Sequence, residues 1–249
     1  MDPQRADGDL NFLSQVVTWF TTASHWQGTN GIPHRVFEHV VMSIAVVAAA
    51  VIVAVPPGLF LGHRRRLGAA AINISNVGRA IPSFAILVIA AQIFGIGAKP
   101  AFIALFVLAI PPLVTNSYVG MAGVDDDIRE SAKGMGMTGW QSLRKAELPV
   151  ALPVVLAGMR TAAVQVVATA TLAALVAWGG LGRYIIDGLA QRDFVQVFAG
   201  ALLVALLSVL TELILALTQR FTVSAGLTRR HRDKNEPFVG AATVVEPIS

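Results

Sequence analysis

The sequence predicts an all-α membrane protein of five transmembrane helices, with the N-terminus outside, the C-terminus inside and an amphipathic helix ahead of the first span. Three observations predict it. Of 249 residues, 55% are hydrophobic and 14% charged, too little charge to cover a soluble domain of this size. Five apolar stretches reach the roughly 20 residues that a helix needs to cross a hydrocarbon core of about 30 Å. The basic residues gather on alternate connections between those stretches. Mean hydropathy is +0.65, and the formal charge of +4 lies beside apolar spans, so it reads as membrane orientation and not as a nucleic-acid footprint.

Residues 1–36 form an N-terminal tail and surface helix. The first nine carry Asp2, Asp7 and Asp9 with only Arg5, which is not the pattern of a signal peptide. In Leu10–Trp26 the apolar Phe12, Leu13, Val16, Val17, Trp19 and Phe20 alternate with Asn, Ser, Gln and Thr. That mixture predicts a helix lying on the membrane surface, with a sixth span as the alternative. Residues 37–220 hold the transmembrane domain. Its spans are Val40–Leu61, Ala69–Gly95, Pro100–Met121, Ala151–Trp178 and Phe194–Thr218. The first stops at His63-Arg64-Arg65-Arg66, and the second is interrupted by Arg79 and Pro82. Residues 221–249 read as a disordered cytoplasmic tail.

The connections after spans one, three and five carry Arg64, Arg65, Arg66, Arg129, Lys133, Arg144 and Lys145, then Arg220 and the basic tail. The opposite side carries Arg5, Arg35, Lys99, Arg183 and Arg192. The richer side is cytoplasmic by the positive-inside rule.

Between spans three and four runs the longest internal cytoplasmic loop. Asp125, Asp126 and Asp127 suit a helix start, where the dipole favours negative charge. A short helix over Ile128–Met135 is then broken by Gly134, Gly136 and Gly139. A second helical stretch, Trp140–Glu147, leads to Pro149 and span four. The loop reads Glu130-Ser131-Ala132, then Gly136, Ala146 and Leu148-Pro149. It resembles the EAA loop of permease subunits of binding-protein-dependent ABC importers, matching the spacing and departing at Ser131 (for Ala) and Ala146 (for Ile). The resemblance implies a coupling helix that docks in a cleft of a cytoplasmic ATP-binding subunit. A short helix in a groove moves as one body with that partner.

Two further stretches resemble the glycine betaine, carnitine and choline permeases of that family. They are Asn76–Ala85 and Trp178-Gly179-Gly180-Leu181-Gly182 with Ile185–Leu189. The resemblance implies a multi-pass subunit of a prokaryotic cytoplasmic membrane, paired with an identical or homologous permease. It also implies an extracytoplasmic solute-binding protein, and ATP and Mg on the partner ATPase with no cofactor in this chain. Methionine or another small solute is the alternative cargo.

Pro82, Pro111 and Pro112 fall within spans, where each removes a backbone donor and kinks the helix. With Ser83, Thr115, Asn116, Asn73 and Asn76 they are the candidates for lining a path, since broken helices expose polar backbone. Arg160 and Glu212 sit at similar depths in spans four and five. Charges are costly there, so they are expected to pair as a structural tie. Gly179–Asp193 reads as an outer turn with a short helix.

Several chemistries are excluded by what the sequence lacks. It has no cysteine, no phosphate-binding Gly-rich loop and no Gly-x-Ser-x-Gly elbow. His25, His34, His39, His63 and His231 show no ligand spacing, so no metal site is predicted. An intramembrane hydrolase needs a His or Asp inside a span. An ion-coupled secondary carrier is the other class considered, but five spans do not divide into two repeats.

Overall fold

The computed structural model describes residues 3–65, 72–73, 78 and 80–222. The described residues fold as helices without a strand. In chain order these are α1 (Pro3–Thr21), α2 (Ile32–Arg64), α3 (Ser83–Phe94), α4 (Ala98–Ala122), α5 (Asp126–Gly134), α6 (Leu148–Thr169), α7 (Gly182–Gln191) and α8 (Phe194–Thr222).

Among the described residues four helical stretches are long and apolar enough to cross a membrane: Ile32–Arg64, Ala98–Ala122, Gly139–Val176 and Phe194–Phe221. They cover the expected first, third, fourth and fifth spans. The expected second span is represented by α3, apolar but 12 residues long. Asn76 and Arg79 lie outside the described residues, as does the tail beyond 222.

Helix α4 is the central element, packed against α2, α3 and α6. The contact with α2 rests on small residues at every fourth position. Val46, Ala50, Ala54, Gly58 and Gly62 form one buried stripe. A methyl group at Gly58 would stand 2.7 Å from Ser117 Cβ, and one at Gly62 would stand 2.7 Å from Met121 Cβ. Glycine here lets two backbones meet, the usual basis of helix association in lipid, where burial of apolar surface gives no drive. Gly158 of α6 meets the Asn116 side chain of α4 in the same way.

Prolines act differently at different places. Pro111 and Pro112 are buried inside a continuous α4, and Pro56 and Pro57 are accommodated inside α2. Pro82, by contrast, is not inside a helix. It has φ −59° and ψ 125° and stands immediately before α3, at a helix start, where its missing N–H costs nothing. The fourth span also changes character. After Thr169 it tightens to a 3₁₀ turn (Ala170–Val176), closed by Ala177 in the left-handed region at φ 60°. There the Val176 carbonyl accepts from Gly97 N–H at the start of α4, 2.6 Å away.

A second cluster holds α1, α7 and α8 together. Val16 and Trp19 of α1 are buried. Phe12 meets Phe198 edge-on at 5.4 Å, and Trp19 meets Tyr184 at 5.4 Å. Part of the amphipathic face expected of α1 is therefore spent on α7 and α8, while Leu13 and Val17 remain exposed. The end of α1 is closed by its own sequel: His25 Nδ1 donates to Trp19 O (2.7 Å) and Trp26 Nε1 to Phe20 O (2.6 Å), filling carbonyls left free at a helix terminus.

Candidate functional site

The loop between α4 and α6 is built around two turns. Asp126 and Asp127 lie in the first turn of α5 and Lys133 in its last, each complementing the helix dipole. The expected side-chain cap is absent: Asp125 occupies the N-cap without a capping hydrogen bond, while Asp126 is held by Arg65, whose Nη1 lies 2.7 Å from Oδ1. At the other end Met137 N–H donates to Ala132 O (3.1 Å) and Gly136 N–H to Lys133 O (2.9 Å). That pair is a Schellman stop, which needs a left-handed residue between its two bonds. Gly136 supplies it at φ +72°. Chemistry at Gly136 is thus conformational: nothing stands within 4 Å of the position a Cβ would take.

The motif residues divide by exposure. Ala132 is fully buried and seats α5. Glu130, Ser131 and Gly136 face outward, with Met135 and Trp140 each 68% exposed. Ala146, Leu148 and Pro149 belong to the entry of α6 and not to the exposed face of α5. A capping box at Thr138 and Gln141 starts the return, with bonds of 2.9 and 3.4 Å. A π-helical turn, Ser142–Glu147, then leads into α6.

Beneath this loop lies a buried polar knot that the sequence does not advertise. Glu147 is 1% exposed. Its carboxylate accepts from His63 Nδ1 at 2.9 Å and from Ser142 Oγ at 2.9 Å, and Arg129 Nη2 stands 3.2 Å away. Arg129 also donates to the His63 carbonyl (3.0 Å) and the Met121 carbonyl (2.7 Å). One guanidinium therefore ties α5 to the ends of α2 and α4, and one carboxylate ties all three to the foot of α6. Buried charges are tolerated when they are paired and hydrogen-bonded in this way. The only sequence signals are an acidic residue one place before Leu148-Pro149 and a histidine at the end of the first span.

The opposite end of α2 carries a matching junction. Glu38 accepts from Arg35 Nη1 and from Gly180 N–H, both at 2.8 Å. His39, fully buried, donates from Nε2 to Val167 O at 2.8 Å and accepts at Nδ1 from Leu181 N–H at 3.3 Å. Gly179 lies directly against the Glu38 carboxylate, and Gly182 against the Thr171 carbonyl, so neither has room for a side chain. Tyr184 donates to Asn30 O (2.6 Å), and burial pushes its hydroxyl up to about 12.

Of the residues expected to line a path, those among the described residues take different surroundings. Asn73 is exposed. Ser83 lines a cavity of about 10 Å³ between α3, α4 and the 3₁₀ turn, room for no more than one water. Thr115 has a buried hydroxyl without a partner, and Asn116 Nδ2 donates to Pro112 O at 2.8 Å. The chain at Gly78 passes over Pro111. Arg160 Nε lies 3.2 Å from Glu212 Oε1, joining α6 to α8.

The described residues thus form a membrane domain whose exposed polar loop is tied by buried charge to three spans. Residues 46–223 match the family model described as binding-protein-dependent transport system inner membrane component, and the chain belongs to that family. It is 37% identical over 201 residues to the glycine betaine/carnitine/choline transport system permease protein of Bacillus subtilis, covering 80% of this chain and 93% of that one. It is also 37% identical over 203 residues to the choline transport system permease protein of the same organism, covering 81% and 94%. In fold it is similar to a chain of the MetNI methionine ABC transporter in an inward-facing conformation, with TM-score 0.67 and 23% identity, over 76% of this chain and 94% of that one.

Proposed function

We propose that the chain is the permease of an importer for a small osmoprotectant such as glycine betaine, choline or carnitine. The observation that carries this is the 37% identity, across 93% of its length, to the Bacillus subtilis permease named for those solutes. The methionine transporter resembles the chain in fold at 23% identity, which bears on architecture and not on cargo.

In this reading α5 is the coupling helix. Glu130, Ser131 and Gly136 present its outer face to the ATPase, and Met135 supplies apolar contact. Ala132, Ala146, Leu148 and Pro149 hold the lever to α6. ATP and magnesium are bound by that partner. Support comes from the outward exposure of a polar helix with the large apolar Met135 at its C-cap. The orientation is N-out and C-in with five spans, α3 completing the second with the residues before it. Glu38, His39 and the Gly179–Gly182 turn then lie outside, toward the solute-binding protein. A second permease subunit completes the path. Selectivity rests largely with the binding protein, because the chain has only two Tyr and four Trp, without the spacing of an aromatic cage for a quaternary ammonium.

The test is uptake of labelled glycine betaine, choline and carnitine in a deletion strain with redundant carriers removed. Loss of uptake restored by this chain is the expected result. Uptake unchanged by the deletion refutes the cargo, and a Gly136→Glu variant that still transports refutes the docking face.

A further inference from the structure

We infer that the groove between the inner end of α2 and the Gly139–Leu148 segment holds an anionic phospholipid from the leaflet on the loop side. The groove encloses about 590 Å³. Leu59, Leu143 and Leu148 form its floor, Phe60 and Trp140 its walls, and Arg64 and Arg144 stand on its rim. Phe60 is 50% exposed and Trp140 68% exposed, so the apolar walls are open to an occupant.

The sign of the charge selects what fits. Arg65 is neutralised by Asp126, and Arg129 by Glu147. Arg64 and Arg144 have no carboxylate partner among the described residues. Arg64 lies instead over the Phe60 ring, 4.6 Å from its centroid, which leaves its guanidinium edge free to bind an anion. Glu147, on the same segment, is buried and engaged by His63, Ser142 and Arg129.

A soluble anion satisfies the two arginines and leaves the leucine floor empty. A neutral acyl chain fills the floor and leaves the arginines unanswered. A molecule with a phosphate at one end and a hydrocarbon chain at the other meets both. The groove also lies where such a molecule is found: α2 is an apolar span that ends at Arg64, and Trp140 is the kind of side chain that favours the headgroup boundary. Because one wall is the span and the other is the loop, the lipid sits as a wedge between α2 and the coupling segment. Its occupancy then sets how far the loop moves against α2, and transport follows the anionic lipid content of the membrane.

The leaflet assignment rests on the proposed orientation, whereas the site itself does not, so the two are tested apart. Native mass spectrometry of the full-length chain in detergent, titrated with phosphatidylglycerol or phosphatidylcholine, reads the site without any transport. Phosphatidylglycerol is expected to be retained preferentially, and millimolar inorganic phosphate is expected not to displace it. Arg64→Gln with Arg144→Gln should weaken its retention roughly thirtyfold, at about fivefold per arginine. A Leu59→Trp variant, which fills the floor and keeps both charges, should weaken it as well. Equal retention of the two lipids, or phosphatidylglycerol retention unchanged in both variants, overturns the proposal. Brominated phosphatidylglycerol needs no variant for its main reading: it should quench tryptophan fluorescence saturably, and Trp140→Phe should remove that component. Loss of retention when the ATPase binds also overturns it, since the groove is then a protein interface. Arg144→Cys, the sole thiol in a chain without cysteine, reports the side by labelling with an impermeant maleimide in sealed vesicles. Labelling from the outer side refutes the orientation and leaves the lipid site standing.

Discussion

Replacement of Gly136 separates shape from space at the coupling helix. The residue holds φ +72°, and a Cβ added there meets nothing within 4 Å. Alanine therefore collides with nothing and suffers only the left-handed backbone, which costs an L-residue about 1–2 kcal/mol. At 1.4 kcal/mol per factor of ten, the Schellman stop becomes roughly five- to thirtyfold less populated. The bonds at stake are Met137 N–H to Ala132 O and Gly136 N–H to Lys133 O. Without them the last turn of α5 frays, and Met135 no longer holds its outward place. Asparagine tolerates the left-handed region far better than alanine, and valine worse. The expected order of cargo-stimulated ATP hydrolysis and uptake, in the importer reconstituted with its ATPase and binding protein, is Gly, Asn, Ala, Val, at equal amounts of permease in the membrane. An alanine variant indistinguishable from wild type, or an asparagine variant worse than alanine, refutes the reasoning.

Glu147→Ala leaves Arg129 and His63, both partly buried, without their anion. Removing one partner of such a pair costs about 3–5 kcal/mol, so a marked drop in the thermal midpoint of the purified chain is expected, and an unchanged midpoint contradicts the knot. Gly179→Ala forces the Glu38 carboxylate away from Gly180 N–H. In a double-mutant cycle read by thermal unfolding, Gly179→Ala should therefore cost little once Glu38→Ala is present, and full additivity counts against the contact. Gly182→Ala meets the Thr171 carbonyl, which cannot swing aside, and should lower the amount of folded protein more than Gly179→Ala does. Arg160→Glu and Glu212→Arg should each reduce membrane expression and together restore it; single variants that express normally remove the tie between α6 and α8.

What the sequence makes legible follows from which forces are local. Four spans are visible because lipid demands an uninterrupted apolar run, and hydropathy reports that directly. The end of α5 is legible as well, since a glycine two places beyond the helix body is a backbone requirement written in one residue. The knot at Glu147 is not, because His63 and Glu147 are 84 residues apart and only the packing of α2 on α4 brings them together. The second span is legible in part: Pro82 interrupts the run Ala69–Gly95 in the sequence, and in the structure it stands immediately before α3. Likewise, Gly179 reads as turn punctuation, whereas its real constraint is the carboxylate of a residue more than a hundred positions earlier. Asn73, Ser83, Thr115 and Asn116 were grouped for polarity within spans, but polarity alone does not say which face a side chain takes.

The stripe of small residues joining α2 to α4 has a mechanical consequence. Where Gly58 and Gly62 lie against Ser117 and Met121, there are almost no side-chain torsions to turn and so no slack to absorb a push. The two helices behave as a single stiff stave. Any bending that alternate opening requires must be concentrated where the chain is already interrupted, at Ile81–Pro82 and at Ala177, and those two points are where the molecule is jointed.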